Sequence, residues 1–127
     1  MATVAVGVDV VDVSRFALAM QRRPRLVQRL FTERERGDTG ERPERLAARF
    51  AAKEAVLKAM GSGLGDAPFQ SIEVQRAPSG APHIVLYADA LALATRCGID
   101  SWHVSLSHTD SVATAFVVAS SRDSRAG

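Results

Sequence analysis

The chain contains one long segment typical of a largely buried helix, Arg45-Leu-Ala-Ala-Arg-Phe-Ala-Ala-Lys-Glu-Ala-Val-Leu-Lys-Ala-Met60. It holds six alanines and no glycine or proline, and Gly61 follows where helices commonly end. Pro43 suits the first turn of the same helix. Because the segment is apolar on nearly every side, we expect its few charged residues to lie at the edge of the core.

Upstream of this helix, the sequence predicts one strand and then several short helices. The first segment has the period-two alternation of a strand, with apolar residues at Val4, Val6, Val8 and Val10. Ser14 suits the N-cap of a first helix, and Pro24 suits the start of a second. Thr32 and Glu35 have the spacing of a capping box for a third, which we expect to end at Gly37.

Downstream of the helix, the pattern predicts two pairs of strands separated by one helix. The predicted elements are strands over Ser71–Gln75 and His83–Tyr87, a helix over Ala88–Cys97, and strands over Trp102–Ser107 and Val112–Ala119. This order predicts an α+β fold in which helices pack on a small, largely antiparallel sheet. We expect a single domain over 1–120 and a disordered tail over 121–127.

The composition is that of a globular protein. With 46% hydrophobic and 24% charged residues, the 127-residue chain is too apolar for a disordered one. Its unbroken apolar runs reach only five residues, so no segment can span a bilayer, and the single cysteine cannot form an internal disulfide. Since the N-terminus shows no signal-peptide pattern, we expect a cytoplasmic protein.

Positive charge is concentrated early in the chain. From Val13 to Thr32 there are five arginines and no acidic residue: Arg15, Arg22, Arg23, Arg25 and Arg29. Helical spacing would place Arg22, Arg25 and Arg29 on one flank. Such a face attracts an acidic partner, although a solvated helix face is the open alternative. With 6% aromatic residues and no recognition motif, the chain gives little support for nucleic-acid binding.

Asp9 is the first residue that breaks the expected pattern, because it lies within the valine-rich strand. A buried carboxylate is costly unless it is paired or bound to a metal. The alternative is that Asp9 marks the end of the strand and accepts hydrogen bonds from the local backbone.

Charged residues in the long helix form the second exception. Glu54 and Lys58 lie one turn apart near the edge of the apolar sector, and Lys53 projects into that sector. An ordinary surface ion pair between residues i and i+4 is the alternative for Glu54 and Lys58.

The third exception is Ser105-Leu-Ser-His-Thr-Asp110, where one strand runs into the turn that joins the last two strands. Its hydroxyls and the His108 imidazole could bind a phosphate or place a base. Alternatively, these polar side chains bond their own backbone in an ordinary hairpin.

A single interpretation joins the three exceptions. Asp9 and Glu54 offer the carboxylate oxygens that Mg²⁺ prefers, with further positions left to water and phosphates. Three basic residues could neutralise phosphate charge beside the metal, namely Arg49, Lys53 and Lys58. Gly61 and Gly63 would let the backbone approach a ligand, although their spacing is not that of a P-loop. The residues therefore predict Mg²⁺-dependent handling of a pyrophosphate-like substrate.

In this order, the segments resemble the holo-[acyl-carrier-protein] synthases, the small phosphopantetheinyl transferases of fatty-acid biosynthesis. That family opens with a Gly-Ile-Asp-like strand, matched here by Gly7-Val-Asp9. Its central helix carries Arg-Phe-Ala-Ala-Lys-Glu-Ala-x-x-Lys-Ala, matched from Arg49 to Ala59, and its last hairpin carries Ser-x-Ser/Thr-His-Thr, matched from Ser105 to Thr109. The match covers about the first 120 residues, and its central helix motif is specific.

The resemblance implies a phosphopantetheinyl-transferase-like fold assembled as a homotrimer, with active sites between neighbouring subunits. It implies transfer of 4′-phosphopantetheine from coenzyme A to a serine of apo acyl carrier protein, with release of adenosine 3′,5′-bisphosphate. By position, Asp9 and Glu54 would hold Mg²⁺. Coenzyme A would be bound by Arg49, Lys58, Gly61, Gly63, Ser107, His108 and Thr109.

The resemblance also implies catalytic roles for Glu54, Lys58 and His108. The serine proton could pass to a metal-associated water, to Glu54 or to His108, with His108 ranked last. An acidic carrier protein is expected to dock on Arg15, Arg22 and Arg25. Three alternatives stay open at this point: a transferase for a secondary-metabolite carrier, a non-catalytic interaction domain, and a basic nucleic-acid-binding module.

Overall fold

The computed structural model describes residues 2–62, 65 and 67–122. Its elements in chain order are β1 (Ala2–Asp12), α1 (Val13–Arg22), α2 (Arg25–Leu30), α3 (Glu33–Thr39), α4 (Pro43–Ala59), a 3₁₀ turn (Phe69–Ser71), β2 (Ile72–Arg76), β3 (Pro82–Leu86), α5 (Ala88–Arg96), β4 (Ser101–His108) and β5 (Val112–Ser121). Among these described residues, no helix has the length and apolar character of a membrane span. The α+β class is confirmed.

The strands form two antiparallel sheets, whereas the sequence pattern predicted one. A three-stranded sheet has the order β1-β5-β4, and β2 pairs with β3 in a two-stranded sheet. The three-stranded sheet positions the residues of interest, because Asp9 on β1 lies opposite Ala115 and His108 on β4 lies opposite Ala113.

Helix α4 lies at the centre of the core and packs mainly against β1 and β5. Most of its side chains are buried, as its nearly uniform apolar character predicted. The contact with β1 is unusually close at Gly7, where an added Cβ atom would lie 2.0 Å from the carbonyl oxygen of Ala55. Only a residue without a side chain permits this approach.

The alternation in β1 predicted a strand correctly, but the valines do not face the core. Gly7 and Val11 are buried and Asp9 is partly buried, so the odd-numbered residues face α4. The even-numbered valines, from Val4 to Val10, are between 44% and 63% exposed. Together with Phe116 on β5, they form an exposed apolar face on the outer side of the sheet.

Several helix ends differ from the predictions. Asp12, not Ser14, caps α1 by accepting a hydrogen bond from the Arg15 backbone N–H at 2.9 Å. The capping box of Thr32 and Glu35 is confirmed. Helix α3 nevertheless continues through Gly37, because the left-handed residue that ends it is Gly40, with φ +61°.

The C-terminal strand extends beyond the predicted Ala119. Ser121 is the last residue of β5, and the Arg122 backbone N–H donates to Asp100 Oδ1 at 2.9 Å. Residues 123–127 lie outside the described residues, so the disordered tail stays a prediction there.

Candidate active site

Asp9 and Lys58 form an ion pair between β1 and the last turn of α4. Lys58 Nζ lies 2.8 Å from Asp9 Oδ1 and donates a second hydrogen bond, of 3.2 Å, to the Val8 carbonyl oxygen. The Asp9 side chain is only 12% exposed, whereas that of Lys58 is 55% exposed. The carboxylate is therefore held at the core boundary, with its partner reaching in from solvent.

Glu54 lies one turn before Lys58 on the same helix and adds a second carboxyl group to this cluster. Its pKa is raised to about 7, first by burial and second by the adjacent Asp9 carboxylate, while Lys58 acts in the opposite direction. Near neutral pH, Glu54 is therefore partly protonated. The ordinary surface pair of Glu54 with Lys58 is not what the structure shows, since Lys58 binds Asp9.

The carboxylate cluster fits a hard divalent cation. Asp9 Oδ2 is buried and accepts no hydrogen bond from the part of the chain that the structure describes. A metal ion would satisfy this oxygen and remove the repulsion that raises the Glu54 pKa. No group of three or more metal-binding side chains occurs among the described residues. Two carboxylates suffice for Mg²⁺ when substrate phosphates and water supply the remaining ligands.

A second cluster lines a cavity of about 260 Å³ on another side of α4. Its polar lining consists of Arg45, Arg49, Arg76 and His108. Arg49 is only 6% exposed, burial lowers its pKa, and its Nε finds no hydrogen-bond acceptor among the described residues. A cavity with this lining suits an anion such as a phosphate.

Sequence reasoning found Arg49 and His108 but missed their two arginine partners in this cavity. Arg45 had a usable signal, since it lies one helical turn before Arg49. Arg76 had none, because its position depends on how β2 and β3 pack against α4.

The predicted residues of the last hairpin divide between the faces of the sheet. His108 reaches the arginine cavity, whereas Ser107 is adjacent on an extended strand and projects from the opposite face. The Thr109 hydroxyl accepts hydrogen bonds from the backbone N–H groups of Ser111 and Val112, at 3.2 and 3.1 Å. In this chain, Thr109 therefore stabilises the turn.

Gly61, the first glycine after α4, has a structural role at the end of this helix. Gly61 has φ +70° and donates to the Lys58 carbonyl oxygen, and the Ser62 N–H donates to that of Leu57. This Schellman arrangement ends the helix and favours glycine. Gly63 lies outside the described residues.

Lys53 does not contribute to the phosphate-binding cluster as the sequence suggested. It is fully buried and forms an ion pair with Glu35 on α3, with Lys53 Nζ 2.6 Å from Glu35 Oε1. Burial lowers the Lys53 pKa, and the Glu35 carboxylate opposes this change. Lys53 therefore cannot meet a ligand at the surface.

The arginines expected to bind a carrier are exposed but do not share one helix. Arg22 ends α1 and Arg25 begins α2, so the predicted single flank is wrong. None of the five arginines between Val13 and Thr32 forms an ion pair within the described part of the chain. Beside α2, Arg23 and Arg29 border an open groove of about 620 Å³ whose apolar lining includes Phe69.

The fold agrees with what comparison with known proteins shows. The sequence profile of the 4′-phosphopantetheinyl transferase superfamily matches residues 5–117. The chain therefore belongs to this superfamily, and the family resemblance seen in its motifs is confirmed.

Two similar curated relatives have the same name. A protein from Frankia casuarinae named holo-[acyl-carrier-protein] synthase is 52% identical over 119 residues, covering 94% of this chain and 98% of the relative. A protein of the same name from Beutenbergia cavernae is 51% identical over 116 residues, covering 91% of this chain and 97% of the relative.

Solved structures agree over nearly the whole chain. Helicobacter pylori holo-[acyl-carrier-protein] synthase in complex with coenzyme A superposes with a TM-score of 0.82 at 29% identity, covering 91% of this chain and 99% of that one. Mycobacterium tuberculosis acyl carrier protein synthase superposes with a TM-score of 0.73 at 34% identity, covering 94% and 98%.

Proposed function

We propose that this chain transfers 4′-phosphopantetheine from coenzyme A to a serine hydroxyl of apo acyl carrier protein in fatty-acid biosynthesis. The observation that carries the proposal is the cluster of Asp9, Glu54 and Lys58. All three residues lie within the part of the chain that matches the transferase superfamily. The serine oxygen bonds to the phosphorus that bears pantetheine. The bond from that phosphorus to the bridging oxygen breaks, and adenosine 3′,5′-bisphosphate leaves with the electron pair.

Mg²⁺ dependence follows from the two carboxyl groups. Asp9 and Glu54 would hold the ion, which when bound neutralises charge on the pyrophosphate. Lys58 is exposed enough to turn from Asp9 towards a phosphate oxygen once the metal satisfies the carboxylate. The serine proton would pass to a metal-associated water or to Glu54.

The arginine cavity is the proposed site for the phosphates of the nucleotide. Arg49 and His108 provide the predicted contacts, and Arg45 and Arg76 extend them. A guanidinium group can donate two parallel hydrogen bonds to the oxygens of one phosphate. Such contacts would orient the leaving nucleotide for transfer. His108 is thereby assigned to binding, which favours Glu54 over His108 as the base.

A homotrimer with shared sites accounts for two further observations. Within one chain, the arginine cavity contains none of the carboxylate cluster, although both surround α4. In addition, the outer face of the three-stranded sheet exposes Val6, Val8, Val10 and Phe116, each by 47% or more. Packing of this face between subunits would bury the valines, with the cavity of one subunit facing the carboxylates of the next.

Mixing two inactive variants tests the shared site. Glu54→Gln and Arg49→Ala each remove a different half of it. If the variants are unfolded, mixed in equal amounts and refolded, random pairing leaves about a quarter of the sites with both halves intact. We expect activity to return towards that fraction. If the mixture stays as inactive as its components, each site lies within a single chain.

The transfer itself is tested by incubation of the protein with coenzyme A, Mg²⁺ and an apo carrier, followed by intact-mass measurement of the carrier. Carriers of fatty-acid and of secondary-metabolite synthesis are compared. We expect the fatty-acid carrier to gain one phosphopantetheine group, and chelation of the metal to stop the reaction. Asp9→Asn and Glu54→Gln should each lose about 100-fold or more in rate. Asp89→Asn, an exposed carboxylate on α5, is the matched control and should leave the rate unchanged.

A further inference from the structure

Lys53 and Glu35 form a buried ion pair at the point where four elements meet. Lys53 Nζ donates to Glu35 Oε1 at 2.6 Å, to the Phe69 carbonyl oxygen at 2.9 Å and to that of Ile72 at 2.6 Å. Glu35 Oε2 in turn accepts a hydrogen bond of 2.8 Å from the Val74 N–H. Since the three N–H groups of Lys53 have three acceptors, the contacts join α3, α4, the 3₁₀ turn and β2 with no donor left over.

This ion pair constrains the rotation of α4 about its own axis. Lys53 precedes Glu54 in sequence, so their side chains leave the helix about 100° apart. Lys53 also lies one turn after Arg49, on nearly the same side of the helix. On the side facing β1, the close contact of Gly7 with the Ala55 carbonyl fixes the distance between helix and strand. Packing against β1 and β5 holds one side of α4, and the ion pair holds the side that faces away from this sheet.

We propose that Lys53 is a positioning residue for the transfer reaction, because its ion pair with Glu35 sets the rotation of α4 that places Glu54 beside Asp9. This inference rests on the proposed function. A carboxylate lies roughly 6 Å from the helix axis, so a rotation of about 10° moves it by about 1 Å. Misplacement by 1 Å can reduce a rate by about 100-fold.

The test replaces the ion pair by a neutral pair, Lys53→Met with Glu35→Gln. Neither charge is then left buried without its partner, which is the change that would unfold the chain. The amide introduced in place of the Glu35 carboxylate can still accept from the Val74 N–H, but its nitrogen cannot accept the capping hydrogen bond from the Thr32 N–H. The matched control is Arg34→Gln, which breaks the exposed contact of Arg34 with Asp38 on the same helix.

We expect the neutral pair to fold, with a wild-type circular dichroism spectrum and an unchanged KM for the carrier. Its kcat should fall at least tenfold. Binding of Mn²⁺ in the presence of coenzyme A, measured by electron paramagnetic resonance, should weaken several-fold. The Arg34→Gln control should match wild type in both measurements. A merely structural ion pair would change the melting temperature and leave kcat and Mn²⁺ binding of the folded enzyme unchanged.

Wild-type values of kcat and Mn²⁺ affinity in the neutral pair would overturn the positioning role while leaving the proposed function intact. An inactive wild-type enzyme would instead reject the proposed function. If the neutral pair does not fold, Glu35→Asp, which keeps both buried charges but shortens the carboxylate side chain, is measured in the same way. Failure of both variants to fold would show that the ion pair serves folding only, which also rejects the proposal.

Discussion

Substitution of Gly7 by alanine tests whether the close packing of α4 on β1 determines both stability and activity. The added Cβ atom would lie 2.0 Å from the Ala55 carbonyl oxygen, 2.9 Å from its carbonyl carbon and 3.2 Å from the Ala59 nitrogen. All three are backbone atoms, so no side chain can turn away. The helix and strand would have to separate by more than about 1 Å to restore a normal carbon–oxygen contact of roughly 3.5 Å.

The expected cost follows from this displacement. Overpacking typically destabilises a core by about 1–3 kcal/mol, and a clash with the backbone belongs at or above the upper end. A loss of about 3 kcal/mol is a large share of a total stability of about 5–15 kcal/mol. With a denaturant slope of about 1.5 kcal/mol per molar of urea, the unfolding midpoint should fall by about 2 M.

Urea unfolding followed by circular dichroism at one fixed protein concentration measures this change. The matched control is Gly37→Ala, because Gly37 is exposed inside α3 and an added Cβ atom would have no neighbour within 4 Å. It should stabilise the chain by about 0.5–1 kcal/mol through helix propensity. Activity should fall only in Gly7→Ala, since displacement of Ala55 also moves Glu54. A Gly7→Ala protein with wild-type stability would refute the close contact.

Three further predictions concern charge and assembly. Because the folded chain raises the Glu54 pKa from 4.5 to about 7, it binds a proton that the unfolded chain releases, so stability should fall as pH rises from about 4.5 to 7 and then level off. Allowing for solvent screening, the decline should be about 1–2 kcal/mol, and urea titrations of Glu54→Gln should lack it. The double variant with Arg22→Glu and Arg25→Glu should have a carrier KM several-fold higher than wild type and an unchanged KM for coenzyme A. Added salt should raise the wild-type carrier KM, because it screens the arginine charges. Equal effects on the KM values of both substrates would contradict carrier docking on these arginines. Val8→Glu places a charge on the exposed sheet face and should convert the proposed trimer to monomer in light scattering, whereas an unchanged trimer mass would locate the interface elsewhere.

Local sequence rules predicted those parts of the fold that depend on neighbouring residues. The alanine density of α4, Pro43 at its first turn and the capping box of Thr32 with Glu35 all follow from contacts within a few positions. Asp9 was detectable for the same reason, because a carboxylate within an apolar strand needs a partner.

Long-range packing explains what the sequence did not show. Period-two alternation identifies β1 as a strand but does not show which of its faces points inward. Because Gly7 has no side chain, α4 packs closely on the face that contains Gly7, and the valines lie on the outer face. The pairing of Lys53 with Glu35 spans 18 positions, so helix periodicity alone left Lys53 as a candidate phosphate ligand. Arg76 enters the arginine cavity from a separate hairpin, which no local pattern foretells.

The alanines of α4 affect the geometry of the candidate site. Small side chains at Ala51, Ala55 and Ala59 let the helix lie close to the sheet, and Gly7 permits the nearest approach. Only at this distance can Lys58 reach both Asp9 and the Val8 carbonyl oxygen from the helix. Larger residues would bury more apolar surface but would move the helix away from β1. The composition that makes α4 predictable from sequence is therefore also what brings its charged residues within reach of Asp9.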